Sequence, residues 1–238
     1  VLMVANELTS SVQAKGTKTV IAMTVATLMA GGAIAGEIVY EQNSGETGYS
    51  AATQTQQEFA AGDILNMTIT GSDTRAYGLL ATGKGSGYTN KGTINANLAT
   101  EGAANPWQVK GMMADNNGTA VNGGTINVTN AYGMTVGSTG VNTLTNNGKI
   151  DVKSGVGMEV APTGIQGSGK EGSNAAATNN GSITVANGAI GILMSGTGNT
   201  FTNQGTLDAT KQAVLLQQEK GKSASNNQLI FESGSTTN

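Results

Sequence analysis

The 238-residue chain has no cysteine, no histidine, two prolines and a single arginine, Arg75. Without cysteine there is no disulfide scaffold and no thiolate zinc site. Without histidine there is no Ser–His–Asp triad and no imidazole-ligated metal. The near absence of proline, with glycines that keep no three-residue period, excludes collagen. Charge is scarce as well: twelve basic and fifteen acidic residues leave a net charge of −3, too little to hold a chain open by self-repulsion. With a pI near 4.9 there is no basic footprint for a phosphate backbone, so nucleic acid is not an expected partner. What the chain has instead is glycine, 36 residues of it, about twice ordinary usage.

The amino end reads differently from the rest. Lys15 and Lys18 precede the apolar run Val20–Ala30, and Gly31-Gly32-Ala33-Ile34-Ala35 follows it with an Ala-x-Ala exit before Gly36. A positive flank, a short apolar core and a small-residue exit are the parts of a secretory signal helix. The run is too short and too rich in Ala, Thr and Gly to span a bilayer of ~30 Å well. Residues 1–35 are therefore expected to be a signal peptide. An exported chain without cysteine also forms no premature disulfides in an oxidising compartment.

From residue 62 onward a repeat takes over. Thr89-Asn90-Lys91-Gly92-Thr93-Ile94 is followed by Val121-Asn122-Gly123-Gly124-Thr125-Ile126, Thr145-Asn146-Asn147-Gly148-Lys149-Ile150 and Thr178-Asn179-Asn180-Gly181-Ser182-Ile183. Weaker copies are Thr202-Asn203-Gln204-Gly205-Thr206-Leu207 and Ser225-Asn226-Asn227-Gln228-Leu229-Ile230. Glycines 92, 124, 148, 181 and 205, then Gln228, lie 32, 24, 33, 24 and 23 residues apart. The base period is thus about 24, with two rungs lengthened. Glycines 78, 111, 133, 157 and 191 form a second column in the same register.

Within each copy apolar and polar residues alternate, the period of a strand with one buried face. Short strands separated by glycine corners, repeating at this interval, describe an all-β fold, a parallel β-helix of roughly seven coils, about 30 Å long. One interior column is expected to hold Ile94, Ile126, Ile150, Ile183, Leu207 and Ile230. A second holds Leu79, Met112, Met134, Met158 and Ile192. Asn90, Asn122, Asn146, Asn179, Asn203 and Asn226 are expected to stack as an amide ladder, with each following glycine supplying a corner at φ > 0. Residues 36–61 lack the motif and read as a transition that covers the first coil, with Phe59 plugging its open end.

A signal followed by Asn-x-Gly-Thr-Ile-Asn-Val and Gly-Met-x-Val coils resembles the passenger region of a bacterial autotransporter, the type V secretion class. The resemblance implies a right-handed parallel β-helix (β-solenoid) displayed outside the outer membrane, delivered by a carboxy-terminal barrel that is not in this sequence. Residues 62–238 would then be the amino-terminal part of a longer passenger.

Little in the chain speaks for catalysis. The acidic residues are scattered, Asp151 sits among solvated lysines, and Asp151 and Glu159 belong to different faces of one coil. Thr82–Gly87 lacks the order of a phosphate loop. No cofactor or metal is expected. The two insertions are more informative, because loops on a rigid scaffold are where binding residues collect. The first, residues 98–108, carries Pro106 and the only tryptophan, Trp107. The second, from Pro162 to about Ala177, carries Lys170 and Glu171. Pro106, Trp107, Lys170 and Glu171 are the candidate contacts for a host or bacterial surface receptor or a glycan. The preferred reading of Trp107 is nevertheless a lid packed on the coil surface, and that of the Lys170–Glu171 pair is solubilising. The expected function is that of a stalk and adhesin. The alternatives are an exported carbohydrate-active β-helix enzyme and a phage tail fibre, the latter at odds with the signal.

Overall fold

The computed structural model describes residues 37–40, 44–51, 55–69, 73–98, 108–137, 140–160, 174–216 and 225–238. The expected signal helix lies outside them. Among the described residues twenty-two strands, numbered β1 to β22 in chain order, wind into a right-handed parallel β-helix with three sheets. The first sheet stacks β1 (Glu37–Tyr40), β4 (Ile64–Ile69), β7 (Thr93–Leu98), β10 (Thr125–Thr129), β13 (Lys149–Val152), β16 (Ser182–Val185), β19 (Thr206–Ala209) and β22 (Thr236–Thr237). The second stacks β2 (Ser44–Ala51), β5 (Asp73–Thr82), β8 (Val109–Asp115), β11 (Ala131–Val136), β14 (Gly155–Val160), β17 (Ile190–Met194) and β20 (Val214–Leu216). The third stacks β3 (Gln56–Phe59), β6 (Gly87–Asn90), β9 (Thr119–Asn122), β12 (Thr143–Asn146), β15 (Ala176–Asn179), β18 (Thr200–Asn203) and β21 (Gln228–Phe231). Each turn of the chain visits the three sheets in order, so seven coils are complete. The stretch 36–61, expected as a transition, contains β1, β2 and β3, paired in parallel with β4, β5 and β6. It forms the first coil.

The interior follows from the alternation. Ile94, Ile126, Ile150, Ile183 and Leu207 are stacked in register and fully buried, and Leu65 precedes Ile94 in the same column. Leu79, Met112, Met134, Met158 and Ile192 form the second column, equally buried. Each of these side chains contributes about 1.5–3 kcal/mol once the next coil roofs it. Ile230 is a correction. It is 40% exposed, because Gln228–Phe231 adds to the third sheet, where Leu229 follows Phe201 and Ile230 points outward. The true successor of Leu207 is Thr237.

The asparagine ladder exists inside the corner between the third and first sheets. Nδ2 of Asn90 donates to Oδ1 of Asn122 at 2.7 Å, and the same bond links Asn122 to Asn146 at 2.7 Å, Asn146 to Asn179 at 2.8 Å and Asn179 to Asn203 at 2.8 Å. All five asparagines are fully buried. Bonded pairs lie 32, 24, 33 and 24 residues apart, so the 24-residue rung is the unit and longer rungs are insertions into it. Asn226 is outside the ladder, another correction. The sequence Ser225-Asn226-Asn227 imitates the motif one strand too early, and Asn226 takes φ 56° in a corner. The rung after Asn203 is occupied by Phe231, and the rung before Asn90 by Phe59. An aromatic ring therefore stands at each end of the amide column. Phe59 is 8% exposed, so its ring is buried as a plug requires.

The corner glycines are needed for a different reason from the one expected. Glycines 92, 124, 148, 181 and 205 are not among the residues with positive φ. A Cβ on Gly124, Gly148, Gly181 or Gly205 would instead lie 2.0–2.1 Å from the carbonyl oxygen of the corner glycine one coil earlier. Stacked backbone leaves no room there for a side chain. In the second sheet, a Cβ on Gly133 would meet the Gly157 oxygen at 2.5 Å and Ile150 at 3.2 Å. That column lets the second sheet bend in against the first.

Candidate functional site

The three corners of the coil behave differently, and the difference points to one sheet. From Asn90 to Thr206 the corner between the third and first sheets is always two residues: 91–92, 123–124, 147–148, 180–181 and 204–205. The inner ladder fixes this length, since an added residue would carry the next asparagine out of its column. The two corners that flank the second sheet run from one residue, Asn130, to the fifteen of 161–175. The insertion 99–108 leads into β8, and 161–175 leaves β14. Both long insertions therefore open onto the second sheet, one at its entry and one at its exit. Pro106, Trp107, Lys170 and Glu171 lie within these insertions and outside the described residues.

The outer face of that sheet is unlike the others. Along the first and third sheets the outward positions hold residues such as Thr93, Asn95, Thr145 and Thr178, all half-buried at most. On the second sheet the outward columns are Tyr77, Lys110, Tyr132, Val156, Ile190 and, beside them, Leu80, Met113, Thr135, Glu159, Leu193. Tyr77, Lys110, Met113, Val156 and Leu193 are buried, Thr135 is fully so, and Glu159 is 1% exposed. Both faces of this sheet are therefore shielded from water in its middle coils. Met113 is buried on the outer face, whereas Met112, Met134, Met158 and Met194 fill the interior.

Buried charge on this face is matched locally. The Lys110 ammonium sits 5.4 Å from the centre of the Tyr77 ring, where the ring quadrupole attracts a cation. Tyr132 pairs with Lys110 one coil on, so the lysine stands between two tyrosines in the column. The Thr135 hydroxyl donates to Oε2 of Glu159, its register partner in the next coil. Burial, and secondarily the Glu159 carboxylate, push the Tyr132 hydroxyl far above the ordinary tyrosine range. Asp151, by contrast, lies on the first sheet with Lys149 at 2.6 Å, both partly exposed. Such a pair contributes about 0–1 kcal/mol. Asp151 and Glu159 occupy different sheets, as their strand positions predicted.

The backbones of Lys110 and Glu159 are two coils and three residues apart, on the order of 14 Å by strand spacing and rise. Among the described residues no three acidic side chains gather where a metal ion would sit. The arrangement provides a largely apolar floor that carries Lys110 and Glu159. Sequence reading singled out the insertions but passed over Lys110, Tyr132 and Thr135, and it named Glu159 only among scattered acids. The available signal was the outward position of Glu159 in the otherwise apolar segment Val156–Val160.

A family model described as the BigA third pectate lyase-like domain matches residues 3–230. No curated protein and no solved structure matches the chain. The match spans nearly the whole sequence and agrees with the observed coil architecture, so the chain belongs to the family of BigA third pectate lyase-like domains.

Proposed function

We propose that this chain is a stalk and adhesive module of a bacterial surface protein, with a non-enzymatic role. The observation that carries this reading is the division of labour among the corners. Between β6 and β19 one corner is held at two residues by a continuous amide ladder, while over the same coils the variation in length borders the second sheet. A rigid stack with variable loops along one side is suited to presenting contacts at a distance from the cell. In this reading Pro106 and Trp107 from one insertion, and Lys170 and Glu171 from the other, meet a surface receptor or glycan. Residues 1–35 direct export, and a barrel of the type V class delivers the passenger through the outer membrane.

The test displays the complete passenger on cells and compares it with a form whose residues 161–173 are replaced by a two-residue turn. Adherence should fall while the far-ultraviolet spectrum of the purified passenger is unchanged. Fluorescence of Trp107, the sole tryptophan, should shift when the purified passenger meets the bound surface. Amino-terminal sequencing of surface protein should begin at Gly36.

The family description favours a second reading, a carbohydrate-active enzyme. A lyase would generate unsaturated sugar ends, read by their ultraviolet absorbance. Depolymerisation by purified passenger that vanishes in Glu159→Gln, without adherence by the displaying cells, would replace the adhesive reading with this one.

A further inference from the structure

Five asparagines of this chain precede a glycine: Asn117, Asn122, Asn147, Asn180 and Asn187. In such a pair the glycine nitrogen can attack the asparagine side chain, because glycine has no Cβ to hinder the backbone rotation required. The fold treats the five differently. In four of them the glycine N–H, which would supply the nucleophile, is held by a carbonyl oxygen: Gly118 by Asp115 at 3.0 Å, Gly123 by Asn90 at 2.7 Å, Gly148 by Asn122 at 3.0 Å and Gly181 by Asn146 at 2.9 Å. The last three of these bonds join neighbouring coils. Gly118 N–H also meets Oδ1 of Asn142 in the next coil at 3.3 Å. The four side chains are engaged as well. Asn122 belongs to the buried ladder, Asn180 donates to Asn147, and Oδ1 of Asn117 accepts from Val141 N–H.

Asn187-Gly188 is the exception. It occupies the corner between β16 and β17, where Ala189 N–H donates to the Ala186 carbonyl oxygen at 3.1 Å and Gly188 takes φ 88°. Those are the marks of a type II turn with asparagine and glycine at its central positions. Both residues are exposed, and a Cβ on Gly188 would have nothing within 4 Å. Among the described residues, neither the Gly188 N–H nor the Asn187 side chain has a hydrogen-bond partner.

We propose that Asn187 is a site of spontaneous deamidation and isomerisation, singled out from its four sister pairs by the fold. The Gly188 nitrogen bonds to Cγ of Asn187 as the Cγ–Nδ2 bond breaks. The proton from the Gly188 nitrogen leaves with Nδ2 as ammonia, and a cyclic imide remains. Water then opens the ring. Breaking the bond from Cγ to the nitrogen leaves aspartate. Breaking the bond from the main-chain carbonyl carbon of Asn187 to the nitrogen leaves isoaspartate, whose backbone runs through Cβ and Cγ. Water is the sole co-reactant, and nothing is oxidised or reduced. Strand register aligns this corner with Lys153-Ser154 one coil earlier and Thr210-Lys211 one coil later. The new carboxylate therefore arises between two corners that each carry an exposed lysine, one strand spacing of about 5 Å to either side along the axis. A neutral corner at the entry to the second sheet gains a negative charge among cations.

Hydroxylamine cuts a chain where the cyclic imide forms, so it reports the reaction position by position. The folded chain, incubated with hydroxylamine in mildly alkaline buffer, should be cut between Asn187 and Gly188 at least about tenfold faster than at the other four pairs, where the corner must open first. The chain unfolded in guanidinium should be cut at all five. Without hydroxylamine, peptide mapping of the folded chain should find the mass gain of an NH2-to-OH exchange at position 187, as both aspartate and isoaspartate. Asn187→Gln should abolish that cut and that mass gain and leave the melting temperature unchanged, since the side chain is exposed in a turn. Resistance of Asn187 in the folded chain, or cutting at Asn117, Asn122, Asn147 or Asn180 at a comparable rate, would overturn the proposal.

Discussion

Nδ2 of Asn122 donates to Oδ1 of Asn146 at 2.7 Å, and Nδ2 of Asn146 in turn donates to Oδ1 of Asn179 at 2.8 Å. Each buried amide is therefore acceptor to one coil and donor to the next, and the column has a direction. Gly124 N–H adds a bond to Oδ1 of Asn122 at 3.3 Å, which ties the ladder to its own corner.

This directionality makes Asn146→Asp more damaging than its small change in shape suggests. An aspartate still accepts from Asn122 but, when ionised, presents an oxygen to Oδ1 of Asn179 with no hydrogen between them. The expected loss is about 2–4 kcal/mol near neutral pH, an unsatisfied buried acceptor plus a buried charge. Burial raises the folded-state pKa of the introduced carboxyl above its unfolded value of about 3.9. The penalty is therefore present at neutral pH and shrinks as pH falls toward the unfolded value, because the protonated acid regains a donor. Urea melts at pH 7 and pH 4 check this; a penalty larger at the lower pH would refute the direction assigned to the ladder.

Two glycines should respond very unequally to a side chain. Gly148→Ala places a Cβ 2.1 Å from the Gly124 carbonyl oxygen and should cost several kcal/mol, about 3 or more, because stacked backbone cannot yield. Gly188 has φ +88° and open space around it, so Gly188→Asn should cost less than about 1 kcal/mol. Thermal unfolding of the pair gives the contrast.

Tyr132 should resist ionisation. Its hydroxyl is held far above the ordinary range, first by burial and then by Glu159. An acid whose folded pKa is raised contributes stability that is complete below its unfolded pKa, about 10 for tyrosine, and is lost as pH climbs beyond it. Ultraviolet titration of the five tyrosines should show a component that ionises only with alkaline unfolding. Tyr132→Phe should diminish that component and blunt the loss of stability at high pH. Glu159→Gln should lower the Tyr132 pKa only in part, since burial remains.

The bond between Thr135 and Glu159 sets a further expectation. Thr135→Val removes a donor from a carboxylate that is 1% exposed. A loss of about 1–3 kcal/mol should follow. The double variant Thr135→Val with Glu159→Leu should recover much of it, because two apolar residues leave no buried charge to satisfy. Denaturant midpoints of the single and double variants measure the recovery.

Much of this fold is legible because stacking turns a linear period into columns. Asn90, Asn122, Asn146, Asn179 and Asn203 share one residue type at one spacing, so the ladder and the Ile94–Leu207 column could be read directly. Legibility ends where a column changes residue type. Phe59 and Phe231 occupy ladder positions without being asparagine, and Ser225-Asn226-Asn227 offers a false match nearby. The reason for the corner glycines was hidden for another cause: a close approach between backbones of different coils leaves no local mark that distinguishes it from a turn. On the second sheet, whether an outward strand position meets water depends on what lies above the sheet, which alternation alone does not encode.

The column of amides has a mechanical side. Its bonds, like those of the three sheets, run along the axis of the stack. Tension applied from one end to the other therefore pulls on these bonds lengthwise and concentrates on the outermost rung, so coils detach one after another instead of shearing together. A tether built this way yields in steps of roughly one rung of chain, lengthening under load while the coils that remain keep their shape.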